Sequence, residues 1–255
     1  MRTIPPTDSL VELAARKQLP RHQYMDDTTV AWIRANRPDV PSVAPSRLSP
    51  LAQRCLAAAA IPAEWFADQR RVDSLHGIRH AMRTAAFAAL LAEHARLEPQ
   101  DTATLIMAAA IHDCRRLHDK DDVGHGARAT QWLHHHPKTV LDHFGLEHVA
   151  GRISQVSTAV HLHETPYAEF TALDESRYSD AVVITDILKA ADALDRYRLP
   201  KLKWWPDPAL IRASAFEQLL GTAFDLVVQT EAAHVAGEGS AHAVLSAFDR
   251  QEWFR

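Results

Sequence analysis

From residue 76 onward the apolar residues of this chain recur with the period of an α-helix, glycines are few, and no stretch alternates convincingly as a strand does. Residues 78–96 place Ile78, Met82, Ala85, Ala86, Ala89 and Leu90 on one broad stripe, the pattern of a helix buried along one face. Pro99 opens the next helix, whose Leu105, Ile106, Ala109 and Ala110 run into Ile111-His112-Asp113. Further helices are predicted over residues 125–136, stopped by Pro137, and over 147–162, 180–197 and 208–236. Ala181-Val-Val-Ile-Thr185 has β-branched character, but the periodic run to Leu194 is too long for a strand. The predicted fold class is all-α.

The first part of the chain reads differently. Short helical patterns over residues 9–17 and 26–34 lead into a stretch with prolines at 38, 41, 45 and 50, which excludes a continuous helix and predicts an extended connector. Ser49-Pro50 is an N-cap followed by the first residue of a helix that stops at Pro62. The expected organisation is an N-terminal extension over 1–65 containing the proline-rich connector, a helical core over 66–200, and a C-terminal helical extension over 201–255.

Composition narrows the function. A net charge of −4 offers no electrostatic case for nucleic acid or an anionic membrane as partner. Cys55 and Cys114 are the two cysteines, which points to a reducing compartment without a disulfide framework. The first residues lack the apolar core of a signal peptide, and no run is apolar enough to suggest a membrane span. These readings predict a cytoplasmic protein.

The 16 histidines make position worth tracking. His80, His112-Asp113, His125, His161 and Asp192 form an ordered series of imidazoles and carboxylates, the donors a divalent first-row metal or a close pair of them takes. His112-Asp113 anchors it, because an acid at a helix C-terminus opposes the helix dipole and calls for a compensating charge. His80 falls at the edge of the buried stripe of its helix. Asp192 borders the face that Leu188 buries, and a buried carboxylate needs a pair or a metal. Asp195, one turn on and beside Arg196, reads instead as a structural ion-pair partner. His161 continues a stripe with Ile153 and Ser157, and His163 and Glu164 compete with it for the same role. His125 lies between two glycines at a helix start. His134, His135 and His136 splay around their helix, and His143 and the remaining histidines read as surface residues.

This series resembles the HD superfamily of metal-dependent phosphohydrolases. The resemblance lies in His76-Gly-Ile-Arg-His-Ala-Met-Arg, in Ala108-Ala-Ala-Ile-His-Asp-Cys-Arg115 and in Lys189-Ala-Ala-Asp-Ala-Leu-Asp-Arg196, and it spans roughly residues 70–200. It implies a five-helix metal-binding core with His80, His112, Asp113 and Asp192 as the ligands of a first site. His125 and His161 sit where the binuclear branch of that superfamily has two further histidines, and with both in place Asp113 would bridge two ions. One or two divalent ions are expected, from among Mn, Fe, Mg, Ni, Co and Zn, and the donor set alone does not choose between them.

The expected activity is hydrolysis of a small phosphoester or nucleotide by metal-activated water, with Asp113 at its centre. Arg115 and Arg116 follow the His-Asp pair and are candidates for a bidentate hold on phosphate, with helix-end charge complementarity as their plainer role. Lys189 is a further candidate phosphate contact, while Arg79 and Arg83 flank His80 without needing to face the site. The acidic loop over 119–126 is a candidate lid. Relatives in the same superfamily that hold two irons use dioxygen to cleave C–C or C–P bonds, which makes an oxygenase the second expectation. A non-catalytic regulatory domain that keeps the metal is the third. No glycine-rich phosphate loop is present, and no Gly-Tyr-Pro element follows His161-Leu-His-Glu164, which weakens a cyclic-dinucleotide substrate. Trp204-Trp205-Pro206 covers the pocket, forms a contact in a homo-oligomer, or is structural aromatic packing.

Overall fold

The computed structural model describes residues 8–40, 47–149 and 151–251, and among them it is all-α, with no strand. The connector expected ahead of Ser49 lies partly outside these residues. The helices are α1 (Leu10–Ala15), α2 (Asp27–Ala35), α3 (Pro50–Ala58), α4 (Ile78–His94), α5 (Pro99–Ile111), α6 (His125–His135), α7 (Pro137–Phe144), α8 (Arg152–Leu162), α9 (Ala172–Ser179), α10 (Val182–Leu194), α11 (Leu220–Val235) and α12 (Ser240–Arg250).

The helix starts follow local chemistry. Ser9 and Glu12 form a reciprocal capping box on α1, Asp26 accepts from the backbone N–H of Thr29 at the head of α2, and Ser49 caps α3 with Pro50 as its first helical residue. Pro137, expected only to stop α6, also begins α7, because a proline lacks the N–H that a first helical turn leaves unused. The helices α9 and α12 were likewise not anticipated. The former rests on a Thr171–Asp174 capping box in a polar stretch without a strong apolar stripe.

Helices α4 and α5 form the centre and are buried from Arg79 to Ala92 and from Thr102 to Ile111. Both are rich in buried alanine (Ala85, Ala86, Ala89, Ala108, Ala109), a small side chain that lets packed helix backbones approach closely, and the two helices pack against each other. Helix α10 packs across both, and α8 packs against α5, α6 and α10. The core cluster is continuous from Leu10 and Ile33 through α4 and α5 to Phe224, Val244 and Phe248, so the first and last segments bury their apolar faces on the central helices. Trp205 serves this packing, edge-on to Trp32 and Tyr197.

Three helices are shorter than their periodicity predicts. The one expected over 147–162 begins at Arg152, after Gly151 takes a left-handed φ of 87°. The one expected over 180–197 tightens into a 3-10 turn at Asp195–Arg198. The long helix expected over 208–236 starts only at Leu220. Asp207 and Pro208 instead form a 3-10 turn, Ile211 is extended, and the Arg212 guanidinium lies 3.8 Å from the centre of the Tyr167 ring, a tertiary contact that outweighs local propensity. Among the described residues no helix is long and apolar enough to cross a membrane.

Candidate metal centre

Four helix ends meet at one point. His80 comes from the first turn of α4, His112 and Asp113 from the end of α5, His125 from the first residue of α6, and His163 from the end of α8, while Asp192 reaches in from α10. Backbone proximity between α6 and α8 is what brings His125 and His163 together. A Cβ on Gly126 would stand 2.4 Å from the Val160 carbonyl oxygen, so only glycine permits the approach. Gly77 does the same for α4, where a Cβ would meet the Val72 carbonyl oxygen at 2.2 Å.

The tautomers of the four rings are set by their outer neighbours. Nδ1 lies 2.8 Å from Asp195 Oδ2 in His80, 2.6 Å from the Ala109 carbonyl in His112, 2.8 Å from the Asp122 carbonyl in His125 and 2.7 Å from the Val160 carbonyl in His163. Each acceptor calls for a proton on Nδ1, which turns the Nε2 lone pair of a neutral ring inward. The inward nitrogens then face each other in pairs, 3.1 Å apart for His80 and His112 and 2.9 Å apart for His125 and His163. With both rings neutral, two lone pairs at that distance repel, so either a metal ion or a proton must lie between them.

The carboxylates complete the donor set. Asp113 Oδ2 is 3.5 Å from His80 Nε2, whereas its Oδ1 is 2.9 Å from His125 Nε2 and 3.5 Å from His163 Nε2. Oδ1 also lies nearest to His112 Nε2, at 3.8 Å, so one oxygen of the carboxylate faces His80 and the other faces His112, His125 and His163. Asp192 Oδ1 sits 3.5 Å from His80 Nε2 and 3.8 Å from His112 Nε2. Asp113 Oδ1 is buried, with His125 Nε2 as its nearest polar neighbour. Around an ion bound at about 2.1 Å, neighbouring donors lie roughly 3.0–3.4 Å apart, and the separations here fall close to that range. The residues therefore fit a metal, with one group at His80, His112 and Asp192 and a second at His112, Asp113 and His163.

Burial keeps the His112 imidazole neutral, pushing it down to about 3, and so keeps it ready as a donor. Burial would raise the Asp113 carboxyl, but Arg116 and His125 hold it well below its ordinary range. Burial also disfavours a charged His125, and in the absence of an ion the facing Asp113 and Glu164 outweigh this and lift it to about 9.

The sequence-predicted residues divide clearly. His80, His112, Asp113, His125 and Asp192 converge. His161 does not; it is half-buried at the cleft rim, its Nε2 4.0 Å from Asp174 Oδ1, and His163 stands in the inner position instead. Two residues on a helix end turn through about 200°, so the two rings necessarily face different ways. Arg116 remains at the cleft, its Nη1 3.7 Å from Asp113 Oδ2 and 3.3 Å from His125 Nε2. Arg115 turns away, donating to the Trp65 carbonyl and lying over Trp132. Lys189 is not free to take a phosphate: its Nζ donates to the carbonyls of Leu162, His163 and Thr165, closing the end of α8 that carries His163. His143, read as a surface residue, is half-buried against Trp65.

Other residues gain roles that spacing alone did not reveal. Asp195 orients His80, as well as pairing with Arg83 through Nε at 2.5 Å and Arg198 through Nη1 at 3.2 Å. Glu164 accepts from the N–H groups of Gly124 and Gly126 at the head of α6. The buried Arg71 donates to the carbonyls of Asp113, Arg116 and His76, fixing the backbone around the His-Asp pair. The loop expected as an acidic lid is in part neutralised internally, with Asp119 accepting from the Gln23 N–H and Ser74 and Asp122 from the Leu117 N–H and Arg128. The donors open into a cleft of about 540 Å³ lined by His76, Arg116, Glu164, Asp192 and Arg196. Compared with models of known families, with curated proteins and with solved structures, the chain matches none.

Proposed function

We propose that this protein is a metal-dependent phosphohydrolase with an HD-type centre, acting on a small phosphoester or nucleotide. The observation that carries the reading is the convergence of four inward-facing imidazole nitrogens on Asp113, whose Oδ2 faces His80 and whose Oδ1 faces His112, His125 and His163. The order of the ligands along the chain supports the same assignment, with His163 in place of His161. His80, His112, Asp113, His125, His163 and Asp192 would hold a divalent ion, which would supply a Lewis acid for the phosphoryl oxygen and a water of lowered pKa. Asp113 and Asp192 bring negative charge to hold such ions, and the buried histidine rings exclude competing water from their far sides. Arg116, at the cleft wall beside Asp113, orients the anionic group and offsets its charge. The outer acceptors keep the donor atoms aimed before substrate arrives.

The decisive experiment is elemental analysis of anaerobically purified protein, followed by a panel of phosphoesters assayed with the metal found. Stoichiometric metal and turnover that disappears in Asp113→Ala are expected. Unaltered turnover in that variant refutes the site. A second reading is supported by the His125–His163 pair, which supplies the further donors a two-iron oxygenase needs. A mixed-valent two-iron signal in electron paramagnetic resonance, with consumption of dioxygen, would establish that reading over hydrolysis.

A further inference from the structure

A second groove of about 540 Å³ adjoins the metal cleft and shares His76, Arg116, Asp121, Arg196 and Leu199 with it. Its additional lining includes Lys17, Lys120, Lys201 and Trp204. Of its two acids, Asp119 is turned inward onto Ser74, His76 and the Gln23 N–H, which leaves Asp121 against Lys17, Lys120, Arg196 and Lys201, with Arg116 shared with Asp113. In a chain whose net charge is −4, this is a local reversal of sign. Among the described residues neither Lys17, Lys120 nor Lys201 has a carboxylate within ion-pair distance.

Two details set the groove apart from an ordinary solvated face. Lys17 takes a left-handed backbone, φ 60°, at the end of α1, where Gln18 N–H donates to the Leu13 carbonyl. Glycine is the favoured residue at that helix-ending position, so Lys17 carries a backbone strain that a glycine would not. Lys201 is half-buried with its Nζ 4.7 Å from the centre of the Trp204 ring, and the Trp204 carbonyl accepts from Arg196 Nε at 2.7 Å. The aromatic wall and two of the cations are thereby fixed to one another.

We infer that the groove binds a second, phosphate-bearing arm of the substrate, so that the substrate class is a phosphoester carrying more than one phosphoryl group. This rests on the phosphohydrolase reading for the group placed over the metal centre, and adds to it the anion that lies along Arg116, Arg196, Lys201 and Lys17. A monophosphate reaches only the metal cleft, whereas a chain of phosphates continues past Arg116 and exchanges hydration for several cations at once.

The test is calorimetric titration of the purified full-length protein with inorganic tripolyphosphate and with inorganic phosphate, the metal content being verified unchanged after each titration. The wild type is expected to bind tripolyphosphate at least ~10-fold more tightly than phosphate. The double variant Lys17→Gly, Lys201→Gln is expected to lose about 10-fold on tripolyphosphate and less than about 2-fold on phosphate. Lys17→Gly also relieves the backbone strain, so an unchanged or higher melting temperature shows that the loss is not one of folding. Equal affinity for the two anions, or tripolyphosphate binding indifferent to the double variant, overturns the assignment. Turnover of p-nitrophenyl phosphate by the wild type reports on the metal centre separately, so failure of the hydrolase reading is seen there and failure of the groove in the titrations.

Discussion

His80 Nδ1 and Asp195 Oδ2 lie 2.8 Å apart, and this contact ties a ring of the candidate metal centre to a buried line of charges that ends on the last two helices. Arg83 joins Asp195 to Glu231, Arg79 joins Glu231 to Ser240, and Ser240 donates to Asp73. The orientation of His80 therefore depends on residues from α11 and α12 that touch no ligand. Asp195→Asn keeps the shape but gives up the charge that favours a proton on Nδ1. Metal affinity, measured by titration against a competing chelator, is expected to fall by about 10–100-fold.

Glu231 is fully enclosed and faces two guanidinium groups, so its removal leaves buried positive charge without compensation. Glu231→Gln is expected to destabilise the fold by about 3–5 kcal/mol in urea unfolding. Burial would raise its carboxyl, but Arg79 and Arg83 hold it down at about 2 against an ordinary 4.5. A carboxyl lowered in the folded state adds stability that is complete above its unfolded value and drains away as pH falls through the folded one. Wild-type stability should therefore decline from about pH 4.5 toward pH 2, and Glu231→Gln should flatten part of that decline.

The ion count per chain separates His163 from its neighbour two residues away. His163→Ala removes a donor that faces His125 and Asp113, and elemental analysis should show the occupancy of the second position lost. His161→Ala alters only the rim and should retain the full complement. The reverse result would restore His161 as the ligand.

Arg115 and Arg116 are adjacent in sequence but do different work. On the proposed hydrolase reading, Arg116→Ala is expected to lower kcat/KM on phosphoesters by about 100-fold, since it takes a preorganised cation from beside Asp113. Arg115→Ala loses a hydrogen bond to the Trp65 carbonyl and a contact with Trp132, and should lower the melting temperature while leaving kcat/KM near the wild-type value. A large kinetic defect in the second variant would show that it reaches the cleft after all.

The contrast between these two arginines shows what sequence alone conveyed. The helical class followed from apolar period, and the His80, His112, Asp113 and Asp192 positions from residue type at the edges or ends of apolar helices. The end of α8 at Leu162 agrees with its period; which of His161 and His163 turns inward depends on how the helix is rotated against α5, α6 and α10, which a single helix's pattern does not fix. Lys189 reads as a free cation until the carbonyls of a neighbouring helix end are brought against it. Arg79 and Arg83 were recognised as flanking His80, but their anions lie about 110 to 150 residues away in sequence, beyond any local pattern.

Gly126 offers the sharpest test of how the fold sets the site. In Gly126→Ala the new Cβ would sit 2.4 Å from the Val160 carbonyl oxygen and 3.1 Å from that of His161, both backbone atoms that no rotamer change can move. The head of α6 must then retreat from the end of α8, carrying His125 away from His163. A destabilisation of about 1–3 kcal/mol is expected from the forced shift, together with weakened binding at the second ion position. Gly145→Ala is the matched control: its φ of 63° strains any side chain, yet a Cβ there meets nothing within 4 Å. That variant should cost about 1–2 kcal/mol through backbone strain alone and leave the metal content intact. Equal metal loss in both would mean that stability, not the α6–α8 approach, governs the second position; loss in Gly126→Ala alone assigns the effect to the distance between His125 and His163.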